Sequence, residues 1–321
     1  MSVDLTEVAV AIIGFNRPDF IRMRLRDLEQ IVDKFPTYVS LDGPRTNRTE
    51  DIEAQNLIME MLNDSKYSKV KVIKRNANYG CDKHIPNTIE EILGNHNFVL
   101  IVEDDVSVTS QALLEMANKM IANENEGKIN PVLGISSLTR NGFGVKNRWR
   151  YSKYFTAWGY GLSRAFWKEH LSVQSEASVV EVVDDLMRES KVWMELSSRR
   201  QEIWRERLLR GNYDYQIQQT LFAKNIETVT PVFRILTNHG HGDTRASHTK
   251  FGQPSYLKEK VPESNYVFHS SRIEKNRLLL LYLHFLDSNT WAGDGIFSVR
   301  GRTFGFRTLF RRLFNKKSLN R

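Results

Sequence analysis

Over the first hundred residues the chain alternates between two hydrophobic periods. Short, mostly apolar runs occur at 8–15, 37–41, 70–73 and 98–102, as expected of strands buried on both faces of a parallel sheet. Between them, apolar residues recur at helical spacing. Phe20, Ile21, Leu25, Leu28, Ile31 and Val32 do so within 19–32, and 49–62 and 84–93 behave alike. Pro18 suits the start of the first helix. Thr49 and the acids after it suit the start of the second. Pro86 falls in the first turn expected of the third, and Ser110 caps a fourth at 110–122. This βαβαβαβ order predicts an α/β fold built on a parallel sheet.

Beyond residue 130 the alternation blurs. One more strand is expected at 132–136, followed by an aromatic- and glycine-rich stretch at 151–163. A mainly helical, polar segment is expected at 175–209, a helix at 213–223 and a strand at 228–236. A Gly/His loop at 238–249 and a leucine-rich helix at 272–287 complete the pattern. There is no internal repeat and no low-complexity segment.

Composition changes this picture little; charge changes it more. The chain has 321 residues, enough for one large domain, and its 40% hydrophobic and 26% charged residues are ordinary for a globular protein. The single cysteine, Cys81, rules out an internal disulfide framework. The net charge of +8 comes from the last 22 residues, which hold eight Lys or Arg and no acid. The rest is formally neutral, so nucleic acid is not an expected partner. The N-terminal stretch lacks the basic start and apolar run of a signal peptide, and no run approaches the roughly 18 apolar residues of a membrane span. A cytoplasmic protein is expected.

The candidate chemistry lies at strand ends. Val99-Leu100-Ile101-Val102 runs directly into Glu103-Asp104-Asp105. Three adjacent carboxylates repel one another unless a cation or a pKa shift relieves them. Mn²⁺ or Mg²⁺, hard cations with oxygen ligands, would do so. The other expected strands end in Asn16-Arg17-Pro18, Asp42-Gly43-Pro44-Arg45 and Asn78-Tyr79-Gly80-Cys81. All would share one rim of the sheet, where open α/β folds bind ligands. There Arg17 can pair with phosphate and Asp42 can accept from a ribose hydroxyl or a base, with a surface ion pair and a turn cap as their structural alternatives. Neither common phosphate-binding glycine loop is present. His248 is a candidate metal or diphosphate contact, flanked by His239 and His241. Trp158 and Tyr160 offer flat faces to a sugar, and Gly159 and Gly161 would let backbone approach a ligand. Cys81 reads as a loop thiol.

Taken together, GFNRP, SLDGPR, NYGCDK and VLIVEDDV resemble the metal-dependent nucleotide-sugar glycosyltransferases of the GT-A fold, and most closely bacterial relatives of the inverting N-acetylglucosaminyltransferase group. Later segments extend the resemblance: Thr156 to Gly161, Tyr213-Asp214-Tyr215-Gln216, and the loop from Asn238-His239-Gly240 to Ser247-His248-Thr249. It implies a GT-A-type, Rossmann-like fold with a mixed, mainly parallel sheet flanked by helices and a helical C-terminal extension. It divides the chain into a glycosyltransferase domain at 1–250, an extension at 251–299 and a basic tail at 300–321. The domain has a nucleotide-binding half at 1–105 and an acceptor half at 106–250.

The resemblance also implies roles. Asp105 becomes the direct metal ligand, while Glu103 and Asp104 contact ribose or sugar. Asn16, Arg17, Asp42, Asn78, Gly80, Trp158 and Gly159 complete the donor site. Asp214 matches the position of the catalytic base, with Asp184 and Asp185 as its rivals. The partners implied are a nucleotide diphosphate-sugar donor and a glycan or lipid-linked acceptor. The competing readings are a sugar-phosphate nucleotidyltransferase, for which Gly14-Phe15-Asn16-Arg17 is a poor match, and a non-catalytic carbohydrate-binding protein. In the tail, Phe306, Leu309, Phe310, Leu313 and Phe314 alternate with basic residues at helical spacing, as in a helix lying on an anionic membrane surface. Removing 300–321 should then release the protein from anionic vesicles.

Overall fold

The structure, a computed structural model, describes residues 5–135, 147–175, 179–196, 198–240, 245 and 261–269. The expected helix at 272–287, the tail at 300–321, His241 and His248 lie outside the described residues.

The first half follows the hydrophobic pattern closely. Strands β1 (Val8–Gly14), β2 (Thr37–Leu41), β3 (Lys71–Lys74) and β4 (Phe98–Glu103) alternate with helices α1 (Pro18–Leu28), α2 (Thr49–Leu62) and α3 (Cys81–Leu93). The four strands are parallel and lie in the order β3-β2-β1-β4. β1 is central and buried along its whole length, whereas β3, at the edge, buries one residue in four.

After β4 come the short strand β5 (Val106–Val108) and α4 (Ser110–Asn125). The second half adds β6 (Val132–Leu133), β7 (Trp149–Ser152) and β8 (Tyr160–Ser163), helices α5 (Arg164–Ser175), α6 (Val179–Glu189), α7 (Lys191–Met194), α8 (Ser198–Leu208) and α9 (Tyr213–Ala223), and strands β9 (Thr228–Pro231) and β10 (Leu236–Asn238). β8 joins β4 antiparallel and continues the sheet to β8-β6-β9-β7, giving eight strands. The fold class is therefore the expected one, a mixed, mainly parallel sheet flanked by helices.

Strand alternation sorts the core into two layers. Val8, Val10, Ile12, Leu100 and Val102 face α1, α2 and α4. Ala9, Ala11, Ile13, Val99 and Ile101 face α3, α5 and α9. Each large aliphatic side chain buried this way contributes about 1.5–3 kcal/mol. A third cluster, with Tyr154, Trp193, Trp204 and Phe222, closes the helical segment α6–α9.

Several elements depart from expectation. The strand expected at 228–236 is two strands in different sheets. β9 ends at Pro231, Val232 N–H turns to Arg148 O (2.9 Å), and β10 pairs antiparallel with β5 as a separate two-stranded sheet. α3 starts at Cys81, because Gly80 (φ 73°) swings the chain into it and its carbonyl accepts from His84 N (2.8 Å); Pro86 thus lies past the first turn. α5, absent from the sequence pattern, starts at Arg164, where Ser163 Oγ accepts from Phe166 N (3.0 Å).

Candidate functional site

The parallel register sets the rim. Gly14 lies beside Leu41, Leu41 beside Lys74 and Ile13 beside Glu103, so the four strands release their loops along one edge. Asn16-Arg17, Asp42, Asn78-Tyr79-Gly80 and Glu103-Asp104-Asp105 leave from that edge.

Arg17 grips the acids. Its Nε donates to Asp104 Oδ2 (2.9 Å), its Nη2 to Asp104 Oδ1 and its Nη1 to Asp105 Oδ2 (3.2 Å). This is a charge-assisted fork. Burial pushes the Asp104 carboxyl up to about 7 against the pull of Arg17. Burial, then the charges of Asp105 and Asp104, push Glu103 up to about 8. Burial is the larger cause of both shifts, and the mutual repulsion of the adjacent acids adds to it. Arg24, 1% exposed, adds a second cation behind the motif: its Nη2 lies 3.2 Å from Asp27 Oδ2, and its field reaches Asp104 and Asp105.

The loop beginning at Asn238-His239-Gly240 covers Asp105, a contact that spacing did not reveal. The β5–β10 pairing sets Asn238 beside Val106 and brings the next two residues onto the motif. His239 N–H donates to Asp105 O (2.7 Å). At Gly240 a Cβ would stand 2.2 Å from Asp105 Oδ2, so a larger residue there forces the Asp105 carboxylate to move. Partial desolvation and the Arg24 charge hold the His239 imidazole below its ordinary value.

The loops on the other side of the rim are organised by two buried carboxylates. Asp42 Oδ1 accepts from Gly43 N (2.9 Å) and Tyr79 N (2.8 Å), and Oδ2 from Gly80 N (2.8 Å) and Asn78 Nδ2 (3.1 Å). The oxygens expected to reach a ribose or base hold the Asn78–Gly80 loop in shape in this structure. Asn16 Nδ2 donates to Asp51 Oδ1 (2.7 Å), and Arg45 forks onto both oxygens of the same carboxylate (2.7 and 2.8 Å). The Arg45 hydrogen bonds hold Asp51 at about 2. Asn16 thus serves the loop's frame in this structure. Beneath Asp42, the buried His84 shares Ser40 and Thr88 in a core network, and burial keeps it neutral-leaning.

The opposite wall is the N-terminus of α9. Asp82, in the first turn of α3, accepts from Tyr213 N (3.0 Å) and Asn212 Nδ2 (3.1 Å) and fixes that terminus. Tyr213 OH reaches Glu103 Oε1 (3.4 Å). Asp214 follows; its Oδ1 accepts from Tyr215 N (3.0 Å), and its charge acts on the Tyr213 and Tyr160 phenols. Asp214 is therefore brought to the Glu103 side of the rim. Asp184 and Asp185 are not: both are exposed on α6, facing Arg205 and Arg188.

Trp158 packs partly buried against the core layer of α4, and Tyr160 is fully buried. Tyr160 thus has no face for a sugar. Gly159 and Gly161 make room for core side chains, not for a ligand: a Cβ would stand 2.0 Å from Leu236 Cδ1 at Gly159 and 2.3 Å from Met120 Sδ at Gly161. Burial, Asp82 and Glu103 all push the Cys81 thiol up, away from the reactive thiolate.

Asp105 fits a divalent cation in one respect. Its Oδ1 is buried and accepts no hydrogen bond from the described residues. A carboxylate oxygen left this way beside two other acids offers lone pairs to a metal. No group of three His, Cys, Asp or Glu among the described residues forms a complete metal site by itself. Asp105 would hold such an ion only together with a ligand's oxygens.

No family model matches the chain, and no curated protein matches it. Among similar solved structures is the mannosyltransferase PcManGT from Pyrobaculum calidifontis in complex with GDP-Man and Mn²⁺. The match has 16% identity and a TM-score of 0.36, and covers 50% of this chain and 46% of that one. The chain thus spans less than half of that protein, and a likeness this slight carries no argument. Among the described residues, no helix is long and apolar enough to cross a membrane.

Proposed function

We propose that this protein is a glycosyltransferase that moves a sugar from a nucleotide diphosphate-sugar donor to a hydroxyl of a glycan or lipid-linked acceptor, with inversion. The observation that carries the reading is Asp105 Oδ1, a buried carboxylate oxygen without a hydrogen bond from the described residues, at the strand-end rim. Mn²⁺ or Mg²⁺, when bound, would supply positive charge to the departing diphosphate. Asp105 would hold it, with His248, whose imidazole suits Mn²⁺, as a candidate second ligand.

The chain's own residues have separable tasks. Arg17 orients Asp104 and Asp105. Asp42 shapes the Asn78–Gly80 loop that would receive base and ribose. Glu103, facing Tyr213, forms the floor between donor and acceptor sides. Asp214 would take the proton from the acceptor hydroxyl as it attacks the anomeric carbon, the task of a general base. Inversion rests on the sequence resemblance. A tail lying on an anionic membrane would suit a lipid-linked acceptor.

The test is sugar release from a panel of nucleotide sugars, with and without Mn²⁺. Wild type should hydrolyse or transfer from at least one donor in a metal-stimulated reaction. Asp105→Asn should lower that rate by on the order of 10²-fold or more, as loss of transition-state charge stabilisation does. Asp214→Asn should abolish transfer while leaving donor binding intact. Full activity in Asp105→Asn would sink the reading.

A further inference from the structure

A diphosphate needs cations around it, and the arginine expected to meet it is already engaged. Arg17 directs three N–H groups at Asp104 and Asp105. A second guanidinium stands beside it. Arg245 donates from Nη1 to Asp19 Oδ1 and from Nη2 to Asp19 Oδ2, both at 2.9 Å, a bidentate fork. Its Cζ lies 5.3 Å from the centroid of the Phe20 ring, and Arg17 Cζ lies 5.0 Å from the same centroid. Asp19 and Phe20 sit in the first turn of α1, directly after Arg17 and Pro18. One ring thus gathers two guanidiniums. One is locked to the acid motif; the other rests on an exposed carboxylate.

The two pairs differ in how firmly they are held. The Asp104 side chain is 3% exposed, while those of Arg245 and Asp19 are 42% and 53% exposed. An exposed pair is screened by water and salt and stabilises little, so a stronger anion displaces it readily. Arg245's fork suits a phosphate as well as a carboxylate. We propose that Arg245 is a second binding residue for the donor's diphosphate, and that Asp19 stands in for phosphate and holds the fork beside the acid motif until the donor arrives. This rests on the donor reading above. It makes Asp19 a competitor of the substrate and not merely a surface partner.

Equilibrium dialysis with nucleoside diphosphates, nucleoside monophosphates and inorganic pyrophosphate, in Mn²⁺, separates the outcomes. Arg245→Gln should weaken diphosphate binding roughly ten- to hundredfold, the range of a charge-assisted contact. Arg245→Lys should recover part of that loss. Asp19→Asn should tighten diphosphate binding severalfold, and the double variant should bind like Arg245→Gln alone. Both positions are exposed, and unchanged melting temperatures verify that the variants fold. If Arg245→Gln binds diphosphate like wild type, or Asp19→Asn weakens binding as much as Arg245→Gln does, the inference is overturned while the donor reading stands. If wild type binds no nucleoside diphosphate with or without Mn²⁺, the donor reading fails and takes the inference with it.

Discussion

The three adjacent acids end in three different environments. Asp104 is clamped by Arg17, Glu103 faces Tyr213, and Asp105 keeps one oxygen without a hydrogen bond among the described residues. The motif and Arg17 were readable from the sequence because both are local: an aliphatic run ends in acids, and a turn ends in an arginine. What surrounds them was not. The partners of Asp42 come from residues 78–80, and that of Asn16 comes from Asp51. A spacing argument has no access to such contacts, through which Asn16 and Asp42 tie the rim loops together. The contact of Gly240 with Asp105 was hidden for the same reason. Adding a methyl there would drive into Asp105, whose short side chain is pinned by Arg17. Gly240→Ala should weaken Mn²⁺-dependent nucleotide binding tenfold or more, with a stability loss within the roughly 1–3 kcal/mol of an overpacked site. Calorimetric titration and a denaturant melt read the two effects separately. Unchanged metal-dependent binding would place Asp105 elsewhere than in the site.

At the scale of elements, the helices of the first half follow their apolar stripes, and α2 and α9 run where periodicity sets them. The failures involve elements fixed by partners far along the chain. β6 is two residues long and gains meaning only between β8 and β9. β10 is drawn out of the main sheet by β5, which is itself three residues long. The wall formed by α9 rests on its contact with α5, where the buried His170 Nδ1 meets Thr220 Oγ1 at 2.9 Å. Burial pushes that imidazole down to about 4. In the unfolded chain it titrates near 6.5. Between those values the unfolded chain binds a proton that the native state refuses, so stability falls as pH drops below 6.5 and is unaffected above it. Acidification from pH 7 to pH 5 should cost about 2 kcal/mol through this residue alone. Urea melts of wild type and His170→Gln across that range measure it. The variant should show a shallower acid slope; equal slopes would mean that His170 is protonated in the fold.

At the scale of the molecule, the design is a parallel half that aims four loops at one rim and a mixed half that brings α9 and β10 to meet them. The parallel half was legible because strands buried on both faces leave continuous apolar runs. The mixed half was not, because strands of two to four residues carry too little pattern to show their pairing. The donor reading depends on a cation held at Asp105. The most direct test is calorimetric titration of nucleoside diphosphates into wild type and Asp105→Asn, each with and without Mn²⁺. Wild type should bind at least one diphosphate markedly tighter with Mn²⁺, and Asp105→Asn should lose that gain while keeping its melting temperature. Equal binding with and without the metal, or an undiminished metal effect in Asp105→Asn, would contradict the account.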